Sequence, residues 1–239
     1  MNIETYRHEI KYHISANEAK WALSLLGNWM EKDINTDGEG KYKVRSLYFD
    51  DLAKTAYYEK EEGFYYRKKY RARIYLKSEF SEKIPVKLEC KRRSGQKISK
   101  KVSLIPHSEF ARISHGKSPA VILEGVLDDF ALDNANCKLY PGIIVDYDRY
   151  ALVDKFYSLR ITFDWNLSAG WDVDSFFSEN LLTVPVFNTD EVILEIKYRD
   201  FIPEHIITVL KNTRMQQQSF SKFFMCMNNN YRQVIKELL

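Results

Sequence analysis

Val86, Leu88 and Cys90 alternate in the chain with Lys87, Glu89 and Lys91. At a period of two, one set points to one side of a strand and the other set to the opposite side. The apolar set marks a half-buried strand. The other face carries charge and nothing else. The same arrangement recurs from the first residues to the last third. YRHEIKYHI (6–14) puts Arg7, Glu9 and Lys11 on one face, and YRARIYL (70–76) puts Arg71, Arg73 and Tyr75 together. GIIVDYDRYAL (142–152) aligns Val145, Tyr147 and Arg149, and SLRITFD (158–164) aligns Arg160, Thr162 and Asp164. VILEIKY (192–198) sets Glu195 and Lys197 against Leu194, Ile196 and Tyr198, and QKISKKVSL adds Lys100 as the hairpin partner of 85–92.

An ordinary sheet turns such a face to water, and for any one strand that account suffices. Solvent faces, however, mix Ser, Thr, Asn and Gln with charge, whereas Arg, Lys and Glu dominate here. If the sheet closes into a barrel wrapped by helices, the charged face lines the interior. Two like charges about 4 Å apart repel by roughly 4 kcal/mol at an effective dielectric near 20. A fold that collects so many cations needs a polyanion to offset the repulsion. Phosphate suits both partners: Arg binds it bidentately and Lys as a point charge. The interspersed acids, Glu9, Glu89, Glu195 and Asp164, balance part of the charge and can hold a divalent cation through oxygen.

Composition removes several alternatives. Across 239 residues the formal net charge is only +3, so bulk electrostatics do not call for nucleic acid. With 45% apolar residues the chain is globular, and its length suits one domain over residues 1–239. Three cysteines without a CxxC pair read as reduced, cytoplasmic and free of structural zinc. The polar start, MNIETYRHEIKYHIS, is not expected to be a signal peptide, and no apolar run approaches the roughly 18 residues of a membrane span. The five histidines are scattered and read as surface or packing groups. No Walker A or Gly-rich phosphate loop occurs, so helix-N-terminus binding of that kind is not on offer.

The remaining segments supply the frame. Ser15 with Glu18 forms a capping box, and Ala19, Leu23, Leu26 and Met30 predict a helix of about 15 residues. Trp21 and Trp29 on it read as core or packing groups. DGEG (37–40) predicts a turn, VRSLYFD (44–50) a strand, and 51–62 a short helix or irregular segment closed by Gly63. Residues 106–132 predict a polar helical insert with a new helix start at Ser118–Pro119, Pro203 opens another helix, and a final helix follows Ser219 or Ser221. RKK (67–69) reads as a solvated strand approach, or as a recruiter of polyanion at the mouth. Of KRR (91–93), Lys91 and Arg93 face inward and Arg92 outward. Cys90 faces the outer core. With no βαβ rhythm, the expectation is an α+β fold: a largely antiparallel, closed or nearly closed sheet with helices outside.

The motifs RHEIKYHIS, VRSLYFDD, YRARIYL, KLECKRRSGQKISKK, DYDRYAL, LRITFD, LEIKY and SFSKFF stand in the order seen in VTC domains. The chain therefore resembles the polyphosphate polymerase domains of the vacuolar transporter chaperone complex, in their stand-alone bacterial form. These belong to the triphosphate tunnel metalloenzymes, relatives of the CYTH proteins. The resemblance runs from about residue 5 to the end. It implies an eight-stranded antiparallel β-barrel forming a tunnel open at both ends. It implies that Lys11, Arg71, Arg73, Lys91, Lys100, Arg149, Arg160 and Lys222 contact phosphates, and that Tyr147 and Ser221 hydrogen-bond them. Glu195 corresponds to the metal-ligating glutamate, with Glu89 and Glu9 as helpers for Mn²⁺ or Mg²⁺. Lys197 joins the tunnel on alternation alone. Two departures stand out. The first acid of the hydrolases' ExExK is Arg7 here, which removes a metal-binding carboxylate and argues against a two-metal hydrolase. A lysine near the final S-K in eukaryotic polymerases is Ser219 here. The eukaryotic accessory domain and membrane helices have no counterpart in the sequence.

Three functions fit. The first is a polymerase that moves the γ-phosphate of ATP onto inorganic polyphosphate, leaving room for a membrane-protein partner and setting no oligomeric state. The second is a triphosphatase or nucleotide cyclase on the same barrel, with Glu9 or Glu89 orienting water. The third is a non-catalytic module that binds polyphosphate or inositol phosphates. Glu195 favours catalysis over the third, because a pure anion binder gains nothing from another negative charge.

Overall fold

The structure is a computed structural model, described over residues 8–34, 36, 40–76, 84–95, 97–120, 125–213, 216–217 and 220–229. The strands and helices run β1 (His8–Ser15), α1 (Ala16–Leu26), β2 (Glu31–Lys32), β3 (Lys41–Asp50), α2 (Thr55–Glu61), β4 (Tyr66–Leu76), β5 (Val86–Ser94) and β6 (Lys97–Ile105). They continue with α3 (His107–Ile113), α4 (Val126–Cys137), β7 (Tyr140–Asp154), β8 (Leu159–Gly170), β9 (Val184–Pro185), β10 (Glu191–Tyr198), α5 (Glu204–Lys211) and β11 (Gln216–Gln217). Residues 222–229 are also helical. The expected capping box opens α1: the Ser15 N–H donates to Glu18 Oε2 at 2.8 Å, and the Glu18 N–H donates to Ser15 Oγ at 3.2 Å. The helix ends at Leu26, shorter than predicted, although Met30 stays buried beyond it. The Ser118–Pro119 start is not realised; α4 begins at Val126. Arg7, Ser219 and most of the DGEG turn lie outside the described residues.

All pairings are antiparallel, in the order β11-β1-β10-β8-β7-β3-β4-β5-β6, with β2 on β7 and β9 on β8. Two expectations need correcting. Among the described residues the sheet has eleven strands, three of them only two residues long, instead of eight. Among the described residues it also does not close into a barrel: β6 ends the path beyond β5, and no backbone ladder joins it to β1 or β11. The physical reason is visible on β6, where Lys97, Lys100 and Lys101 are exposed along the edge. A lysine-rich edge discourages strand addition. The sheet still curls far enough for Lys91 on β5 to meet Glu9 on β1, Nζ to Oε1 at 3.5 Å. The result is an open, deeply curved trough.

The convex face is covered as predicted. Ala19, Ala22 and Leu26 of α1 and Ile206, Val209 and Leu210 of α5 pack on Ile161, Phe163, Leu194 and Ile196. Phe110 and Ile113 of α3 and Val126, Leu127 and Phe130 of α4 pack on Ala72, Ile74, Leu88 and Cys90. Trp21 and Trp29 are not core: they are 40% and 51% exposed, and Trp29 leans edge-on against His205. One helix departs from the rule that helices lie outside. Phe223, Cys226 and Met227 of the 222–229 helix bury against Tyr48, Val145, Leu167 and Ile193, side chains of the concave face. The trough is thus half filled by an apolar plug and half left to charge.

Candidate functional site

A cavity of about 790 Å³ occupies the charged half of the trough. Alternation predicts its walls: β1 supplies Glu9 and Lys11, β4 supplies Arg71 and Arg73, β5 supplies Lys91, β7 supplies Tyr147 and Arg149, and β10 supplies Glu195 and Lys197. Ser221 and Lys222, at the start of the 222–229 helix, close one side. The lining includes Tyr48, Lys60, Arg67, Lys69 and Arg93 as well. In all, eleven lysines and arginines meet two glutamates, an excess of nine formal positive charges among the described lining residues.

Three expected members are absent from this lining. Glu89 lies beneath it, 1% exposed, and both its oxygens are taken. Oε2 accepts from Arg71 Nε at 2.6 Å, and Oε1 meets Lys100 Nζ at 3.2 Å. Lys100 is held there, on the β6 edge. Arg160 points along the trough to a separate knot, where Nη2 lies 2.8 Å from Asp33 Oδ2 and donates to the Tyr42 hydroxyl at 2.9 Å. Asp33 follows β2 in a segment whose sequence carries no periodic signal, so nothing announced this partner.

The remaining cations are held by few carboxylates. Arg149 grips Asp164 with two parallel bonds, Nε to Oδ1 at 2.6 Å and Nη2 to Oδ2 at 2.7 Å, and Lys222 Nζ lies 2.6 Å from the same Oδ2. One fully buried carboxylate thus aims two cations into the cavity. Arg71 also donates to the Tyr48 hydroxyl at 2.9 Å, while Arg73 donates to Ser46 Oγ at 2.9 Å and to the Tyr147 hydroxyl at 3.4 Å. Lys11 Nζ is 2.5 Å from Glu9 and 3.7 Å from Glu195, and Lys197 pairs with Glu195. Lys69 lies 4.6 Å from the Phe223 ring centroid. Lys69, read from the sequence only as part of a solvated approach or a mouth recruiter, lines the cavity in alternation with Arg71 and Arg73; Tyr48, on a strand without a charged face, was not read as a lining residue.

Electrostatics follow from this crowding. Burial, and then Glu195, push the Glu9 carboxyl up, but Lys11, Lys91 and Lys197 outweigh both and hold it at about 2. Burial raises Glu195 too, and Lys197, Lys11, Lys222 and Arg149 carry it well below the usual carboxylate range. Lys91 is lowered to about 8 by burial and then by Lys11, against the pull of Glu9 and Glu195. Lys69 is lowered to about 7 by burial, Arg67 and Lys60. Both carboxylates are therefore ionised at neutral pH, and burial followed by crowding among cations brings two lysines near their titration point.

Glu9 and Glu195 also bear on a metal. They lie diagonally across the β1–β10 ladder, where Lys11 pairs with Glu195 and Glu9 with Lys197, and both reach the Lys11 ammonium. No group of three His, Cys, Asp or Glu stands together among the described residues. Two carboxylates, with phosphate and water oxygens completing the shell, are the usual donor set for Mg²⁺ or Mn²⁺. Glu89, 1% exposed and outside the cavity lining, does not fit the helper role expected for it.

Comparison with known proteins agrees with this architecture. Residues 6–231 match the VTC domain. Two solved structures share the fold. A Hippeastrum protein, described as a candidate adenylyl cyclase with a dominant triphosphatase activity, has a TM-score of 0.56 at 14% identity. The match covers 94% of this chain and 96% of that one. A candidate adenylate cyclase from Bacillus halodurans has a TM-score of 0.55 at 13% identity, covering 91% and 95%. No curated protein matches the chain. The order of charged strands, the cation-walled cavity they build and the match over nearly the whole length lead to one statement of kinship: the chain belongs to the VTC domain family.

Proposed function

We propose that the protein is an ATP-dependent polyphosphate polymerase. The observation that carries this reading is the excess of nine formal positive charges among the described lining residues of a cavity whose two glutamates are already ionised and ion-paired. Such a site is built for a polyanion. Membership of the VTC domain family supports phosphate as that anion.

The triphosphate lies among Lys11, Arg71, Arg73, Lys91, Arg149, Lys197 and Lys222, with the Tyr147 and Ser221 hydroxyls as further hydrogen-bonding groups. Arg160 and Lys100, outside the lining, take no part. Glu195 and Glu9 would hold a Mn²⁺ or Mg²⁺, which when bound neutralises phosphate oxygens. A terminal oxygen of the polyphosphate chain attacks the γ-phosphorus. The bond from that phosphorus to the β,γ-bridging oxygen breaks, and ADP leaves with the bond's electron pair. A phosphate nucleophile is already ionised at neutral pH, so alignment and charge neutralisation suffice. Arginines locked by Glu89 and Asp164 need little reorganisation as charge develops.

The Hippeastrum relative's triphosphatase activity favours a second reading in which water replaces the polyphosphate oxygen. A single assay separates them: pure protein with ATP and Mn²⁺, and analysis of products. Long-chain polyphosphate with ADP supports the polymerase. Free phosphate supports a triphosphatase, a cyclic nucleotide supports a cyclase, and polyphosphate binding without turnover supports a binding module. Glu195→Gln is expected to weaken Mn²⁺ binding in calorimetry by more than tenfold, or about 1.4 kcal/mol; unchanged Mn²⁺ affinity would move the metal elsewhere.

A further inference from the structure

The β4–β5 ladder opposes like charges on three successive rungs: Arg67 with Arg93, Lys68 with Arg92, and Lys69 with Lys91. Like charges directly opposite one another destabilise a sheet. The middle rung faces the convex side and is neutralised there. Lys68 pairs with Asp133, and Arg92 Nη2 lies 3.1 Å from Asp129, both carboxylates being presented by α4. The inner of the two concave rungs belongs to the cavity already described, and Glu9 serves its Lys91. The outer rung, Arg67 with Arg93, is different. Among the described residues no ion pair joins either guanidinium to a carboxylate, and Arg93 spends its Nε on the carbonyl of Gly95 at 2.7 Å. Burial and then Arg93 lower Arg67, against the pull of Glu59 on the wall of a neighbouring groove.

Position gives this rung a use. Arg67 and Arg93 line the cavity and also a second groove of about 530 Å³ that runs over the end of the β4–β5–β6 hairpins, past Tyr66, to Lys97. Among the described residues they form the stretch of wall shared by the two spaces. We propose that Arg67 and Arg93, with Lys97 beyond them, form a second polyanion subsite at the cavity mouth, which holds phosphate units of a chain too long for the cavity. This rests on the reading that the cavity binds phosphate, and adds that the protein distinguishes long polyphosphate from triphosphate at the rim that the cavity shares with the groove. A positively charged track following an extended polyanion binds it with an affinity that falls steeply with salt.

The test is calorimetric titration of the full chain with tripolyphosphate and with long-chain polyphosphate. In Arg67→Gln/Arg93→Gln the ratio of long-chain to triphosphate affinity is expected to fall about tenfold, and the salt slope for the long chain to shallow by about two. Lys97→Gln is expected to lower the ratio by a smaller factor, about threefold. Removing an opposed cation pair relieves repulsion, so the double variant should melt no lower than the parent. An unchanged ratio with triphosphate binding intact overturns the subsite alone. Equal losses for both anions also overturn it, placing the pair within the cavity's own site. A parent protein that binds neither anion overturns both the subsite and the phosphate reading.

Discussion

Two buried arginine–aspartate pairs sit on opposite faces of the same sheet, and they are built differently. On the convex side, Arg45 is 1% exposed and saturated: Nη2 meets Asp146 at 3.0 Å, and Nη1 donates to the carbonyls of Phe176 and Ser178 at 2.8 and 2.7 Å. One cation answers one carboxylate, and protein carbonyls take the remaining donors. On the concave side, Asp164 answers both Arg149 and Lys222. The carboxyls register the difference. Burial raises Asp146, and Arg45 does not fully offset it. Burial also acts on Asp164, but Arg149 and Lys222 together pull it down. The convex pair matches one cation to one carboxylate, although Asp146 Oδ1 is buried without a hydrogen-bond partner; the concave cluster has charge left over for a ligand.

The strongest way to break this contrast is Arg45→Leu. It strands Asp146 in the outer core and is expected to cost about 3–5 kcal/mol, seen in denaturant unfolding. Phosphate affinity of the folded protein should not change. A loss of affinity without a loss of stability would place Arg45 in the site and dissolve the comparison.

Ligand should act on the other face alone. Tripolyphosphate at a hundred times its dissociation constant is expected to stabilise the protein by about 2.7 kcal/mol. An unfolding midpoint that ignores tripolyphosphate would mean that the surplus cations do not receive this anion. Arg73→Gln sharpens the point, because Arg73 has hydroxyl partners and crowds Arg71. Phosphate affinity should fall by about 1.5–3 kcal/mol, the worth of a hydrogen bond to a charged group. Stability without ligand should hold.

The smallest effects are in pH. The folded protein gives up protons at Lys69 near 7 and at Lys91 near 8, against a usual lysine value of 10.5. Between those values the unfolded chain binds more protons than the folded one. Ligand-free stability is therefore expected to rise as pH increases from about 7 toward 10.5. Phosphate binding needs the ammonium forms, so the stabilisation conferred by tripolyphosphate should shrink over the same rise. Unfolding midpoints at pH 7 and 9, with and without the anion, measure both. Equal ligand stabilisation at the two pH values would remove Lys91 from the phosphate contacts.

Much of the site was legible because strand alternation is a local property. Each of Lys11, Arg71, Arg73, Lys91, Arg149, Glu195 and Lys197 needed only its two neighbours to declare its face, and all line the cavity. The capping box at Ser15 is likewise settled within four residues. What alternation cannot say is which partner waits across space. Glu89 and Arg160 share the charged face, yet Glu89 is claimed by Arg71 and Lys100, and Arg160 by Asp33 and Tyr42. Arg45 looked like one more strand residue until Asp146, about a hundred positions later in the chain, came beside it. Closure was also beyond local pattern: the β6 edge stays open, and the 222–229 helix takes half the trough. The sequence by itself determined that charge would gather on one face and that the gathering would want an anion. Only the tertiary structure decided which charges are spent on one another and which are left over, because pairing depends on long-range register and on the curl that brings Lys91 to Glu9.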